Sequence, residues 1–239
     1  MLFWRLKIGR AAGVDVFLHW SFFLAPLYII YLHWQLELAW PIVGVLLVLL
    51  FAIFGCVLLH EYGHALAARY FGVKTKDIII TPIGGLARLS RMPSEPLQEF
   101  AIAIAGPLVN LSVAIGFAFF VTAMGNDLMP DARKGLTQFP QLMLWLNLFL
   151  FLFNLIPAFP MDGGRILRSL LATSFKHETA TLIAGLLGQL VAIGFMGYGI
   201  YTGKYQLALI GVFVFLAAGV EIAVRGKGIR AAPKITDVE

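Results

Sequence analysis

The chain has 239 residues, of which 60% are hydrophobic and 13% are charged. Soluble globular domains carry about 45–50% apolar and about 25% charged residues. This composition excludes an ordinary water-soluble domain and favours a protein that lies mostly in lipid. The formal net charge of +5 does not indicate a nucleic-acid partner, because the basic residues are spread along the chain instead of clustering on one soluble surface.

Six apolar stretches predict membrane-spanning helices, since a helix needs about 20 apolar residues to cross the hydrocarbon core. The first and fourth stretches are short, so we expect them to be tilted or partly irregular. No repeat or long linker divides the chain. The sequence therefore predicts an all-α polytopic membrane domain over residues 1–225, followed by a basic tail over 226–239. The predicted spans cover residues 16–31, 40–68, 97–124, 139–156, 180–201 and 206–224.

The basic residues also predict how the spans are oriented. Six spans divide the loops and termini into two sets, and all but three of the 18 Lys and Arg residues fall in the set that includes both termini. Cytoplasmic loops carry an excess of Lys and Arg. We therefore expect a multi-pass protein of the cell membrane with its N- and C-termini in the cytoplasm, where anionic lipid attracts the positive charge.

The second predicted span ends in HEYGH, residues 60–64, a pattern typical of zinc metalloproteases. His60 and His64 are four residues apart, so their imidazoles project from one helix face and can bind one Zn²⁺. Glu61 lies about 100° further round the helix, where it can act as a general base on metal-bound water. Ionisable groups at membrane depth are costly and usually mark function, which favours a metal site over a solvated helix end.

A catalytic zinc site takes a third protein ligand and leaves one position open for water. The fourth predicted span ends in FNLIPAFPMDGGR, residues 153–165, and it also runs toward the cytoplasm. Asp162 is therefore expected near the depth of the two histidines, as a third ligand or alternatively as a helix cap at the membrane interface. Pro157 and Pro160 interrupt helical hydrogen bonding, which predicts a broken fourth helix that lines a water-accessible site.

Three further features are predicted around this site. Asn154 precedes the break, where its amide would hold a substrate carbonyl or make an interhelical hydrogen bond. Residues 76–90 form a short β-like hairpin around Gly84 and Gly85, whose open edge would bind an extended peptide as an added strand. The alternative is a hairpin on the membrane surface with no substrate role. Small residues in AGPLVN, residues 105–110, predict close packing of the third span on the second.

These motifs together resemble the site-2 protease family of intramembrane zinc metalloproteases. HEYGH is followed about a hundred residues later by NLIPAFPMDGGR, with VFLHWSFFL, PIGG and AGPLVN at other points of the chain. The resemblance is greatest to the six-span archaeal and bacterial branch, and it covers nearly the whole sequence. It implies one zinc ion per chain, bound by His60, His64 and Asp162, with Glu61 as the base and Asn154 against the substrate.

The resemblance implies an intramembrane endopeptidase whose partners are membrane-anchored proteins with a transmembrane segment. Met161 departs from the commoner leucine before the aspartate. Many members of this branch carry a C-terminal pair of CBS domains, whereas only residues 226–239 follow the last span here. We expect either that the protein lacks these domains or that the sequence is truncated. Nucleotide regulation is therefore not carried over.

Three other functions compete with a protease. A catalytically silent homologue would bind zinc and membrane clients without cutting them, but Glu61 is intact. A metal transporter also uses polar groups on broken helices, although it usually shows repeats and several sites. A membrane zinc peptidase acting on prenylated proteins would normally take a glutamate as its third ligand, which fits Asp162 less well.

Overall fold

The structure is a computed structural model that describes residues 5–82, 84–91, 93, 95–131 and 138–225. The predicted tail over 226–239 lies outside these residues. The strands are β1 (Arg5–Ala11), β2 (Val14–His19), β3 (Thr75–Thr81) and β4 (Gly84–Leu89). The helices are α1 (Leu24–Leu36), α2 (Trp40–Tyr70), α3 (Pro96–Ala123), α4 (Phe139–Asn154), α5 (Asp162–Leu171), α6 (His177–Tyr201) and α7 (Tyr205–Arg225).

The chain divides into two compact units. The first unit comprises residues 1–94 and 104–153, and it holds the four strands, α1, α2, most of α3 and nearly all of α4. The second unit comprises residues 95–103 and 154–239, and it holds the start of α3 together with α5, α6 and α7.

The strands of the first unit form one sheet in the order β1-β2-β3-β4. β1 and β2 are antiparallel, β2 and β3 are parallel, and β3 and β4 are antiparallel. Strand β4 therefore lies at one edge of the sheet. Alternate apolar residues of β2 and β3 join side chains of neighbouring helical segments in a buried cluster that consists of Val14, Val16, Phe22, Ala65, Ile78 and Ile80.

The sheet corrects two sequence-based predictions. Residues 16–19 belong to β2 and Trp20–Phe23 forms a short 3-10 helix, so the predicted first span is wrong over its N-terminal half. Helix α1 begins at Leu24 and has 13 residues. The predicted all-α fold is likewise incomplete, because the expected hairpin over 76–90 is half of a four-stranded sheet. Burial of Val14 and Val16 against β3 and α2 favours the extended backbone over a helical one.

Four helices are long and apolar enough to cross a membrane, by length and composition, among the residues that the structure describes. They match the second, third, fifth and sixth predicted spans, and they cover Trp40–Tyr70, Pro96–Ala123, His177–Tyr201 and Tyr205–Val224. Helix α4 is apolar but shorter, with 16 residues. The backbone leaves the helical conformation after Asn154 and resumes it at Asp162, which is the interval that contains Pro157 and Pro160.

A fully buried arginine organises the second unit. Arg168 of α5 is 0% exposed, and it donates from Nε to Oε1 of Glu99 at 3.1 Å and from Nη1 to Oε1 of Glu221 at 2.6 Å. Its guanidinium carbon lies 5.2 Å from the centroid of the Phe159 ring. Burying a charge is costly unless it is paired and hydrogen-bonded. Arg168 therefore ties α5 to the start of α3 and to α7.

Candidate metal centre

The C-terminal half of α2 carries the predicted metal-binding motif in a buried position. His60, Glu61 and His64 are only 6%, 8% and 5% exposed. One turn of helix separates the two imidazoles, and their Nε2 atoms lie 3.1 Å apart. Two nitrogen ligands at tetrahedral zinc, each at 2.0–2.1 Å, are about 3.3 Å from each other. The two nitrogens therefore converge as ligands of one metal ion do.

Helix α3 packs closely against this face of α2 because both helices carry glycine there. A Cβ atom built on Gly63 would lie 2.7 Å from the carbonyl oxygen of Ala105, and one built on Gly106 would lie 2.8 Å from Nε2 of His60 and still closer to Nε2 of His64. The predicted close packing of AGPLVN on the second span is confirmed. Gly106 also leaves space beside the imidazole nitrogens that any side chain would fill.

Glu61 is held by the edge strand of the sheet. The backbone N–H of Ala87 in β4 donates to Oε2 of Glu61 at 2.8 Å. A Cβ atom built on Gly85 would lie 2.9 Å from both Cδ and Oε1 of Glu61, so this glycine makes room for the carboxylate. This role of the hairpin was not predicted from the sequence, although the glycine pair at its turn is a signal that another group approaches the strand closely.

Asp162 is the first residue of α5 and is 8% exposed. The two glycines after it allow the helix to begin against the preceding loop. A Cβ atom on Gly164 would lie 2.7 Å from the backbone nitrogen of Phe159, and one on Gly163 would collide with the carbonyl oxygens of Leu155 and Ile156. The absence of a side chain at these two positions therefore permits the close backbone approach.

His60, His64 and Asp162 form a group that is able to bind a metal ion. Each offers one ligand atom, these atoms all lie within 4.8 Å of one another, and all three residues are buried. Two imidazole nitrogens and one carboxylate oxygen are ligands that suit a catalytic zinc site with an open fourth position. The donor set and the space beside Gly106 therefore fit the expected metal.

The other predicted site residues lie on separate elements. Asn154 is the last residue of α4, and Gly84 begins β4 with a φ of +138°. Such a φ is a conformation that glycine adopts more readily than any other residue. Gly84 therefore shapes the β3–β4 turn, whereas Gly85 is the glycine in contact with the site.

Asp77 of β3 is a buried charged residue that the sequence analysis did not single out. Its Oδ2 accepts from Nη1 of Arg5 at 2.7 Å, and its Oδ1 accepts from Nε of Arg88 at 2.6 Å. The hydrogen bonds from Arg88 are the main reason why the pKa of Asp77 is lowered, and those from Arg5 add to the effect. The same pairing raises the pKa of Arg88. Asp77 thereby joins β3 to β4 through Arg88 and to β1 through Arg5.

Comparison with known proteins gives consistent matches. The model of peptidase family M50 matches residues 48–132 and 124–195. A protein named zinc metalloprotease from Methanocaldococcus jannaschii is 35% identical over 90% of this chain and 60% of its own length. A putative zinc metalloprotease from Synechocystis is 33% identical over 90% of this chain and 59% of its own length. The chain thus spans about three-fifths of the length of these relatives.

A solved structure also matches over nearly its whole length. The site-2 protease from Methanocaldococcus jannaschii superimposes with a TM-score of 0.66 and 32% sequence identity, over 99% of this chain and 98% of that one. The motif-based resemblance is confirmed, and the chain belongs to peptidase family M50.

Proposed function

We propose that this member of peptidase family M50 is a zinc-dependent intramembrane endopeptidase. The observation that carries the proposal is the buried group of His60, His64 and Asp162, with Glu61 next to the first histidine on a helix long enough to cross a membrane. Ionisable groups in such a helix are costly, and they persist where they have a function. The names of the relatives, zinc metalloprotease and site-2 protease, support the same chemistry.

In this proposal the three ligand residues bind zinc, which when bound activates a water molecule and polarises the scissile carbonyl. The Nε2 atoms of His60 and His64 would be the nitrogen ligands, and the carboxylate of Asp162 would supply the oxygen ligand. Glu61 takes the proton of the attacking water and then passes it to the nitrogen of the leaving amine. The burial of these groups strengthens the electrostatic interactions that orient the reacting atoms.

The proposed substrates are membrane-anchored proteins, cut in or near a transmembrane segment. A helical segment hides its carbonyl groups in its own hydrogen bonds, so it has to unwind before it is attacked. Strand β4 lies at the edge of the sheet, and an edge strand can bind an extended peptide by main-chain hydrogen bonds. Asn154 is proposed to hold a substrate carbonyl with its side-chain amide.

We also propose that the chain crosses the cell membrane six times with both termini in the cytoplasm. The charge asymmetry of the loops supports this orientation. α1 with 13 residues and α4 with 16 are the two shorter crossings, and the fourth span is broken where α4 ends. The buried metal-binding residues then lie within reach of water from the cytoplasmic side.

The test is cleavage of single-span substrates by purified protein in bilayers, with the wild type compared with Glu61→Gln. Zinc content is measured in both proteins, since Glu61 is not a proposed ligand and the variant should retain the metal. We expect the wild type to cleave and the variant to be inactive at equal zinc occupancy. Asp162→Asn should instead lose zinc together with activity.

Two results would overturn the proposal. If both proteins cleave equally, Glu61 is not the base. If neither cleaves a panel of single-span substrates while both hold zinc, the function is that of a zinc-binding homologue that only binds clients.

A further inference from the structure

We propose that the backbone N–H of Ala87 is a positioning group for Glu61, so that the edge strand of the sheet is part of the catalytic machinery. This inference rests on the proposed role of Glu61 as the general base. It gives the β3–β4 hairpin a second task beside the proposed binding of an extended peptide.

The hydrogen bond itself is the first argument. Ala87 donates to Oε2 of Glu61 at 2.8 Å, and the carboxylate belongs to a residue that is only 8% exposed. Hydrogen bonds to a charged acceptor are roughly twice as strong as neutral ones. The bond fixes Oε2 and thereby directs Oε1 as the oxygen that takes the proton. A general base oriented by another group in this way is a recurrent arrangement in enzymes.

The place of Ala87 in the sheet is the second argument. β4 ends the strand order, and Ala87 is paired with Ile78 of β3 on its other side. The N–H that reaches Glu61 therefore points off the open edge of the sheet. Such edge groups otherwise pair with water or with another strand. Here the edge is used by a side chain of α2.

Gly85 supplies the third argument, because it is the residue that lets β4 come this close to Glu61. A side chain at Gly85 would overlap the carboxylate, with its Cβ 2.9 Å from Oε1. A Cβ on the neighbouring Gly84 would meet nothing within 4 Å. β4 therefore approaches Glu61 closely at position 85, where a side chain would clash with the carboxylate, but not at position 84.

The strand that carries the donor is itself fixed. Arg88, the residue after Ala87, is bound to Asp77 of β3, and Asp77 is bound in turn to Arg5 of β1. A functional group is most effective when the element that holds it is rigid. The ion pairs of the sheet thus hold β4 against β3 and keep the strand that carries the Ala87 N–H rigid.

The experiment replaces the amide of Ala87 by an ester in the full-length protein, by incorporating lactic acid in place of alanine at position 87. This change removes the hydrogen-bond donor and leaves the side chain unaltered. We expect kcat on a single-span substrate to fall roughly 10- to 100-fold, the effect of losing a charge-assisted hydrogen bond. KM and zinc content should not change. In labelled wild-type protein, the amide proton resonance of Ala87 should shift upfield in Glu61→Gln.

The matched control is the corresponding ester at Leu89. Successive N–H groups of a strand alternate in direction, and Ser90 donates to Lys74 on the β3 side. The N–H of Leu89 therefore points off the same edge as that of Ala87 but is not the donor to Glu61. Its removal should act on KM, through the proposed binding of the extended peptide, and not on kcat, whereas the Ala87 ester should lower kcat. Gly85→Ala, which crowds the carboxylate but keeps the donor, should lower kcat with normal zinc content.

The proposal is overturned if the Ala87 ester has the kcat of the wild type or a higher one, or if both esters lower kcat equally. It is also overturned if the Ala87 resonance does not respond to Glu61→Gln. In each of these cases an active wild type leaves the proposed protease function intact. An inactive wild type would instead contradict the function on which the inference rests.

Discussion

The sheet and the helical second unit each contain a buried cluster of charged side chains, and the two clusters are built in opposite ways. In the sheet, one acid serves two cations: the Asp77 side chain is 6% exposed, while those of Arg5 and Arg88 are 31% and 32% exposed. The two cations can therefore keep part of their hydration. The desolvation cost in this cluster falls mainly on one carboxylate.

In the helical unit, one cation serves two acids. The Arg168 side chain is 0% exposed, that of Glu99 is 3% exposed and that of Glu221 is 22% exposed. Both members of the Arg168–Glu99 pair have lost nearly all contact with water. A group left unpaired there cannot recover its hydration, whereas Arg5 and Arg88 can do so in part. The loss of unfolding free energy when a cluster is broken should therefore depend on how much water reaches the charged side chains left behind, and not on the number of ion pairs.

The largest effect is expected for Arg168→Met. Removing the shared cation leaves Glu99 buried without its partner, and breaking a buried ion pair from one side costs about 3–5 kcal/mol. Chemical unfolding in detergent measures the change in free energy of unfolding. Because α5 begins at Asp162, zinc content should also fall.

A variant that lacks all three charges tests whether the unpaired, buried carboxylate causes this loss of stability. Replacing Glu99 and Glu221 by leucine together with Arg168→Met removes all three charges, so a large part of the lost stability should return. A loss below about 1 kcal/mol for Arg168→Met alone would contradict the assigned cost of a buried, unpaired charge.

A smaller loss of stability is expected for Asp77→Asn. The asparagine can still accept one hydrogen bond, and the two arginines are partly solvated, so the cost should be about 1.5–3 kcal/mol. The same unfolding measurement compares it with Arg168→Met. If Asp77→Asn proved the more destabilising of the two, solvent access would not be the deciding factor.

The sheet cluster should also depend on pH, with a definite sign. The pKa of Asp77 is lowered in the folded protein by hydrogen bonds from Arg88, relative to about 3.9 in the unfolded chain. Its contribution to stability is therefore fully present above that unfolded value and is lost as the pH falls through the lower folded value. The difference in Tm between the wild type and Asp77→Asn should be constant from pH 7 to about 5 and shrink below about 4. A difference that grows on acidification would contradict this.

The smallest effect is expected for Asp15→Asn. Asp15 pairs with Lys7 at 2.8 Å and with Arg10 at 3.6 Å, but the side chains of these two partners are 51% and 67% exposed. Exposed pairs contribute about 0–1 kcal/mol and are screened by salt. Unfolding at low and high ionic strength should show a small loss that disappears in salt. A loss comparable to that of Asp77→Asn would show that position in the sheet matters more than exposure.

The sequence predicted most of the helices and the histidine pair of the metal-binding group, because both depend on local patterns. Long apolar runs favour helices, and the four-residue spacing of His60 and His64 places two imidazoles on one face. These features are read from neighbouring residues, without knowledge of what packs against them.

The N-terminal strands were not predicted, because their local signal was ambiguous. Residues 14–19 are as apolar as the helix that follows them, and an apolar run alone does not separate a strand from the start of a span. Pairing decided the outcome: β2 hydrogen-bonds to β1 on one side and to β3 on the other. The β2–β3 partners lie about 60 residues apart in the chain, as Val16 and Ile78 illustrate.

The sequence by itself determined the membrane-like composition, the candidate ligand residues His60, His64 and Asp162, and the position of Glu61 as the neighbouring acid. Only the tertiary structure decided what holds these groups. The partners of Arg168 come from 69 and 53 residues away, and the donor to Glu61 comes from 26 residues away. The donor is a main-chain N–H, which every residue except proline carries. No side-chain pattern can mark it, and only the approach of β4 to α2 selects Ala87.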